Sequence, residues 1–96
     1  MVEIIKTVQY SQWLDNLFDT KVRARIQARI ERLAWGHPGD TKSVGEKVFE
    51  MRVDFGPGYR IYYTKKGVKL VILLIGGNKS TQSRDIKIAH RLAKNL

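Results

Sequence analysis

The chain has 96 residues, 43% of them apolar, enough for one modest core and therefore for a single domain spanning 1–96. Lysine and arginine number 18 against 9 aspartates and glutamates, and the resulting +9 draws the protein towards polyanions, nucleic acid first and an acidic protein partner second. The absence of cysteine excludes disulfides and thiolate metal sites, and the longest apolar run, Val71 to Ile75, is far too short to cross a membrane.

The opening MVEIIKTVQY carries Glu3 and no long apolar run, so it does not read as a signal peptide, and a soluble cytoplasmic protein is expected. Glu3 to Val8 is β-branched and predicts a first strand. Ser11 is placed to cap a short helix carrying Trp13, Leu14, Leu17 and Phe18 at helical spacing. Asp19 or Thr20 caps a longer helix that runs to about Trp35, with Val22, Ile26, Ile30 and Leu33 on one face and Gly36 at its end. His37 to Lys47 (HPGDTKSVGEK) reads as a loop.

Two alternating strands follow, Val48 to Val53 and Tyr59 to Thr64. After a Lys65-Lys66-Gly67 turn, Leu70 to Ile75 is apolar throughout, as in a central strand buried on both faces, and Gly76-Gly77 ends it. Ser80 or Thr81 then caps a last helix with Ile86, Ala89, Ala93 and Leu96 on one stripe. The order β-α-α-β-β-β-α predicts an α+β fold, a mostly antiparallel sheet with helices packed on one face and the other face partly open.

Parity sets the register of the hairpin. Cross-strand partners must share a face, so a five-residue connection, Asp54 to Gly58 (DFGPG), pairs Val53 with Tyr59, Met51 with Ile61 and Phe49 with Tyr63. The same register sets Glu50 opposite Tyr62 and Arg52 opposite Arg60. Like charges directly opposite one another destabilise a sheet. One reading is that Glu50 and Asp54 neutralise the arginines on a solvated face. The other is that a polyanion sits between them, with Tyr62 beside them as a stacking platform for a base. Lys79, after the glycine pair, is within reach of the same place if the strands are adjacent.

A second basic feature is Arg25, Arg29 and Arg32 on the long helix, with Lys21 leading in. A solvent-facing helix surface accounts for it, and phosphate contact with a large RNA is the functional alternative. His37 and His90 have no second ligand nearby, so no metal is expected, and His90 reads as a surface residue flanking the apolar stripe. There is no phosphate-cradling G-x-x-x-x-G-K-[ST], no nucleophile elbow and no convincing pair of catalytic carboxylates.

The stretches WLDNL, RARIQARIERLAWGHPGDTKSVGEKVFEMRVDFGPGYRIYY and LLIGGNKSTQSRDIKIA together resemble the RelE/ParE superfamily of toxin–antitoxin toxins, and most closely its HigB-like addiction-module killer branch. The resemblance implies a ribosome-dependent, metal-independent endoribonuclease that cuts mRNA in the A site, inhibits translation and needs no cofactor. The matching catalytic positions are Arg52, Arg60 and Lys79, with Tyr62 beside them. Lys42, Lys47, Arg25, Arg29, Arg32 and Arg84 make up the expected RNA- and ribosome-binding set. The general base is left open between Tyr62 and a lysine, either of which needs a lowered pKa.

Implied partners are the ribosome, mRNA and a cognate antitoxin, HigA-like with a helix-turn-helix, through which alone the complex reaches promoter DNA. The rival readings are a ParE-like gyrase inhibitor and a non-catalytic basic nucleic-acid-binding domain.

Overall fold

The computed structural model describes all residues 1–96. In chain order the elements are β1 (Glu3–Lys6), α1 (Val8–Asp15), α2 (Thr20–Ala34), β2 (Thr41–Ser43), β3 (Val48–Val53), β4 (Tyr59–Lys66), β5 (Leu70–Asn78), one 3-10 turn (Lys79–Thr81) and α3 (Gln82–Lys94). The sheet order is β1-β5-β4-β3-β2. β1 runs parallel to β5, and every other pair is antiparallel. The class is α+β, as expected, with one strand more than the sequence pattern suggests. β2 lies within the stretch read as a loop, and its three residues are too few to show a period.

The β3–β4 register is the one that parity requires, with Arg52 opposite Arg60 and Glu50 opposite Tyr62. Gly56 and Gly58 both take positive φ in the connection, which a side chain would resist. The cap of α1 differs from expectation, while Thr81 stands at the N-cap position of α3 as expected but makes no side-chain bond to the helix amides. Thr7, not Ser11, caps α1 by accepting from the Tyr10 amide. Asn78 caps the 3-10 turn before α3 by accepting from the Ser80 amide. Asp19 caps α2 as foreseen.

The placement of α3 corrects the one-sided arrangement. α1 and α2 cover one face, where Tyr10, Leu14, Ile26 and Ile30 pack on Met51, Val53, Ile61, Tyr63 and Leu73. α3 covers the other, with Ala89 packed among Val48, Tyr62, Ile72 and Leu74, and with Ile86, Leu92 and Ala93 at its margin. The sheet is thus the middle of three layers. A strand as apolar as Leu70 to Ile75 needs cover on both faces, because the free energy of burial scales with apolar area removed from water. No helix is long and apolar enough to cross a membrane.

Gly76 and Gly77 lie inside β5 and do not end it. A Cβ at Gly76 would collide with the Trp13 ring, and one at Gly77 with the Asp85 carboxylate and the Thr81 hydroxyl. The glycines therefore let α1 seat its tryptophan on one face and α3 seat a buried aspartate on the other. Gly77→Ala is expected to lower stability by about 3 kcal/mol through overpacking, read as a lower denaturant midpoint at constant slope.

Burial pushes the phenols of Tyr10, Tyr62 and Tyr63 above the ordinary tyrosine range. The folded state therefore keeps protons that the unfolded state releases, so their contribution to stability is intact below about pH 10 and is lost as pH rises further. Alkaline titration followed by phenolate absorbance should show these three ionising only together with unfolding, seen by circular dichroism. Phenolate formation by all of them in the folded protein would contradict their burial.

Candidate functional site

The cross-strand arginines are held apart by acids on either side of them. Arg52 is exposed and donates to the Asp40 carboxylate at 3.0 Å, which raises its pKa further. Arg60 is nearly buried. Its Nη1 donates to the Gly58 carbonyl at 3.0 Å, and its Nε lies 3.6 Å from Glu50 Oε2. Glu50 is fully buried and also accepts from the Tyr62 hydroxyl at 3.0 Å and from Gln82 Nε2 at 2.8 Å, with Lys42 Nζ 3.9 Å from its other oxygen. Of the two neutralising acids anticipated, Glu50 takes that role. Asp54 forms no ion pair, and Asp40, from the stretch read as a loop, takes its place beside Arg52.

A cleft of about 330 Å³ opens beside this pair. Arg52, Arg60 and Lys79 line it together with Asp40, Asp54 and Tyr59. β4 and β5 bring Lys79 there, because Tyr59 pairs with Asn78 and the chain turns immediately afterwards. The sequence offers no obvious carboxylate pair, yet two carboxylates share this cleft. Nothing local signals Asp40, which is far from Arg52 in the chain and reaches it only because Thr41 pairs with Met51.

Tyr62 requires correction. It is fully buried beneath α3, and burial first, then the charge of Glu50, holds its phenol well above the ordinary range. It cannot stack on a base from there, and its shift is opposite to the one a general base needs. It supports Glu50, which in turn orients Arg60. The expected open sheet face at this position is absent because α3 occupies it. Tyr59, not singled out from the sequence, is the tyrosine that lines the cleft.

The remaining basic residues do not form one surface. Arg29 donates to the Arg52 carbonyl at 2.6 Å and to the Pro38 carbonyl at 3.0 Å, so it clasps the loop and the end of β3 to α2 and is not available to a phosphate. Arg25 lies over the Phe55 ring, 4.3 Å from its centroid, while Arg32 is exposed in the last turn of α2, where its charge suits the helix dipole. Lys42 is exposed on β2 and faces Glu50. Lys47 lies at the far end of the sheet in a turn before β3, away from the arginine cleft. Arg84 is exposed on α3, 3.6 Å from the buried Asp85. His90, at the opposite end of α3 from Gln82, donates Nε2–H to the Val44 carbonyl at 2.9 Å and so fastens the helix to the β2–β3 connection.

These features define a small basic α+β domain with two arginines and a lysine converging on one open cleft. The chain belongs to the family described as Phage derived protein Gp49-like (DUF891), which matches residues 12–94 and is related to RelE-like toxins of toxin–antitoxin systems. It is also 47% identical over 95 residues to an uncharacterized protein of Haemophilus influenzae strain Rd, covering 99% of this chain and 96% of that protein.

Glu50→Gln should cost about 3 kcal/mol, because it leaves the nearly buried Arg60 without its counter-charge. Chemical denaturation measures this directly. A loss under about 1 kcal/mol would mean that solvent already screens the pair.

Proposed function

We propose that this protein is the toxin of a type II toxin–antitoxin module and acts as a ribosome-dependent, metal-independent mRNA endoribonuclease. The observation that carries the reading is the convergence of Arg52, Arg60 and Lys79 on a single open cleft of about 330 Å³. Family membership and the net charge of +9 support it.

In the proposed reaction the ribose 2′-OH attacks the adjacent 3′ phosphorus in line, the P–O5′ bond breaks, and a 2′,3′-cyclic phosphate and a 5′-OH result. Arg60, its guanidinium held by Glu50 and the Gly58 carbonyl, is preorganised to receive the charge that develops on the non-bridging oxygens. Arg52 contributes a second guanidinium once the phosphate displaces Asp40 from it. Lys79 is assigned the proton delivered to the departing O5′. Asp54, the cleft carboxylate without an ion pair, is assigned the proton taken from the 2′-OH. The ribosome supplies the mRNA geometry that in-line attack needs. The partners of this reading are the ribosome with its mRNA, and an antitoxin that covers the cleft.

The test is induction of the wild type and, separately, of Arg60→Ala and Arg60→Lys in cells, with primer extension on an abundant transcript. The expected result is in-frame cuts within translated codons that vanish in Arg60→Ala. They should fall about a hundredfold in Arg60→Lys, because lysine cannot supply the guanidinium fork. Growth arrest without mRNA cuts would move the assignment to gyrase. Graded loss of binding in Arg60→Lys with no cuts in the wild type would leave a nucleic-acid-binding domain.

A further inference from the structure

A second cleft is larger than the arginine cleft. It lies at the other end of α3, has a volume of about 750 Å³, and is lined by Lys47, Lys65, Lys66 and Lys94 with His90, Glu46 and the C-terminal Leu96. All four lysines are exposed and none has a carboxylate within ion-pair distance. Lys65 is partly engaged elsewhere, with its amine 4.8 Å from the centre of the Phe49 ring. The other three are left to solvent.

The site is built by strained backbone. Glu46 and Lys47 both take positive φ, at 55° and 62°, the only residues other than glycine to do so. Such a conformation is disfavoured for side chains of this size and persists only where the surroundings impose it. Here the Thr64 hydroxyl donates to the Lys47 carbonyl at 2.7 Å, and the Val48 amide closes on the Gly45 carbonyl. The strain holds Lys47 at the mouth of the cleft, facing lysines from the β4–β5 hairpin and the end of α3. Like charges gathered in this way repel one another unless an anion lies among them.

The two clefts lie at opposite ends of one face of β4, with the residues between them buried under α3. Arg60, Tyr62, Thr64 and Lys66 share one face of β4, so Lys66 lies about 20 Å from Arg60 along the strand. Lys42, half exposed beside Glu50, stands between the two ends on the flank of α3. We infer that the Lys47–Lys66–Lys94 cleft is a second phosphate-backbone site, which grips RNA at the far end of α3 from the cleavage cleft. The choice of RNA among polyanions rests on the ribonuclease reading; the existence of an anion site does not.

The test uses the full chain and binding alone. The probes are a labelled 2′-O-methyl oligouridylate, which lacks the attacking hydroxyl and cannot be cut, and a blunt RNA duplex. Binding is measured by anisotropy across a salt series for the wild type, for Lys66→Gln/Lys94→Gln, and for a control with the same charge loss at a distance, Lys6→Gln/Arg23→Gln. The cleft variant should weaken binding and reduce the slope of log K against log salt by about 1.4, two single-strand phosphate contacts, while the control keeps the wild-type slope. Loss confined to the oligouridylate assigns the cleft to mRNA, and loss confined to the duplex assigns it to folded rRNA. Equal losses in the cleft variant and the control would overturn the proposal, since only net charge would then matter, and so would an unchanged slope in the cleft variant. Because no cleavage is read, failure here is separate from failure of the primer-extension test.

Discussion

The structure depends on one buried anion. Glu50 sits at the middle of β3 with no solvent exposure, and its carboxylate meets Arg60 from β4, the Tyr62 hydroxyl, Gln82 from α3 and Lys42 from β2. An isolated carboxylate in such a place would cost several kcal/mol of lost hydration. The four partners offset that cost, and in doing so they tie three strands to the helix that crosses them. Without the carboxylate, the guanidinium of Arg60 would be buried beside a second arginine with nothing to balance it. The same group therefore permits the like-charged cross-strand pair, holds Arg60 in position and seats the N-terminal turn of α3.

This arrangement divides the molecule's positive charge into two kinds. Arg29 is taken up by internal contacts, a clasp to two carbonyls, while Arg60 is fixed by Glu50 yet still lines the cleft. Arg52, Lys79, Lys47, Lys66 and Lys94 face solvent at the two ends of α3. Both clefts lie on the α3 side of the sheet, because the other face is closed by α1 and α2 over an apolar core. In the ribonuclease reading, the fold separates the group that does chemistry from the groups that hold substrate by the length of a single strand.

Much of the sheet was legible because a strand's period of two is unforgiving. Phe49, Met51 and Val53 can meet only Tyr59, Ile61 and Tyr63, and that alone sets Arg52 against Arg60. The α2 stripe of Val22, Ile26, Ile30 and Leu33 was equally plain, and all four are buried. By contrast, β2 has three residues and β1 pairs with β5 across nearly the whole chain, so neither leaves a local trace of its partner. The face taken by α3 was hinted at by the unbroken apolar run of β5, which demands cover on both sides. Tyr62 was misread for the same reason: alternation assigns its face correctly but is silent on whether that face is wet. Asp40 was missed because its link to Arg52 runs through the unforeseen β2.

By itself the sequence determined the class of fold, the register of the central hairpin and the presence of an excess of cations. These follow from periodicity, parity and charge, which are local or additive properties of the chain. Only the tertiary structure decided which cations are free. Whether an arginine meets solvent, a carbonyl or a buried carboxylate depends on which distant element is packed over it, and here that element is α3, laid across Glu50 from the far end of the chain.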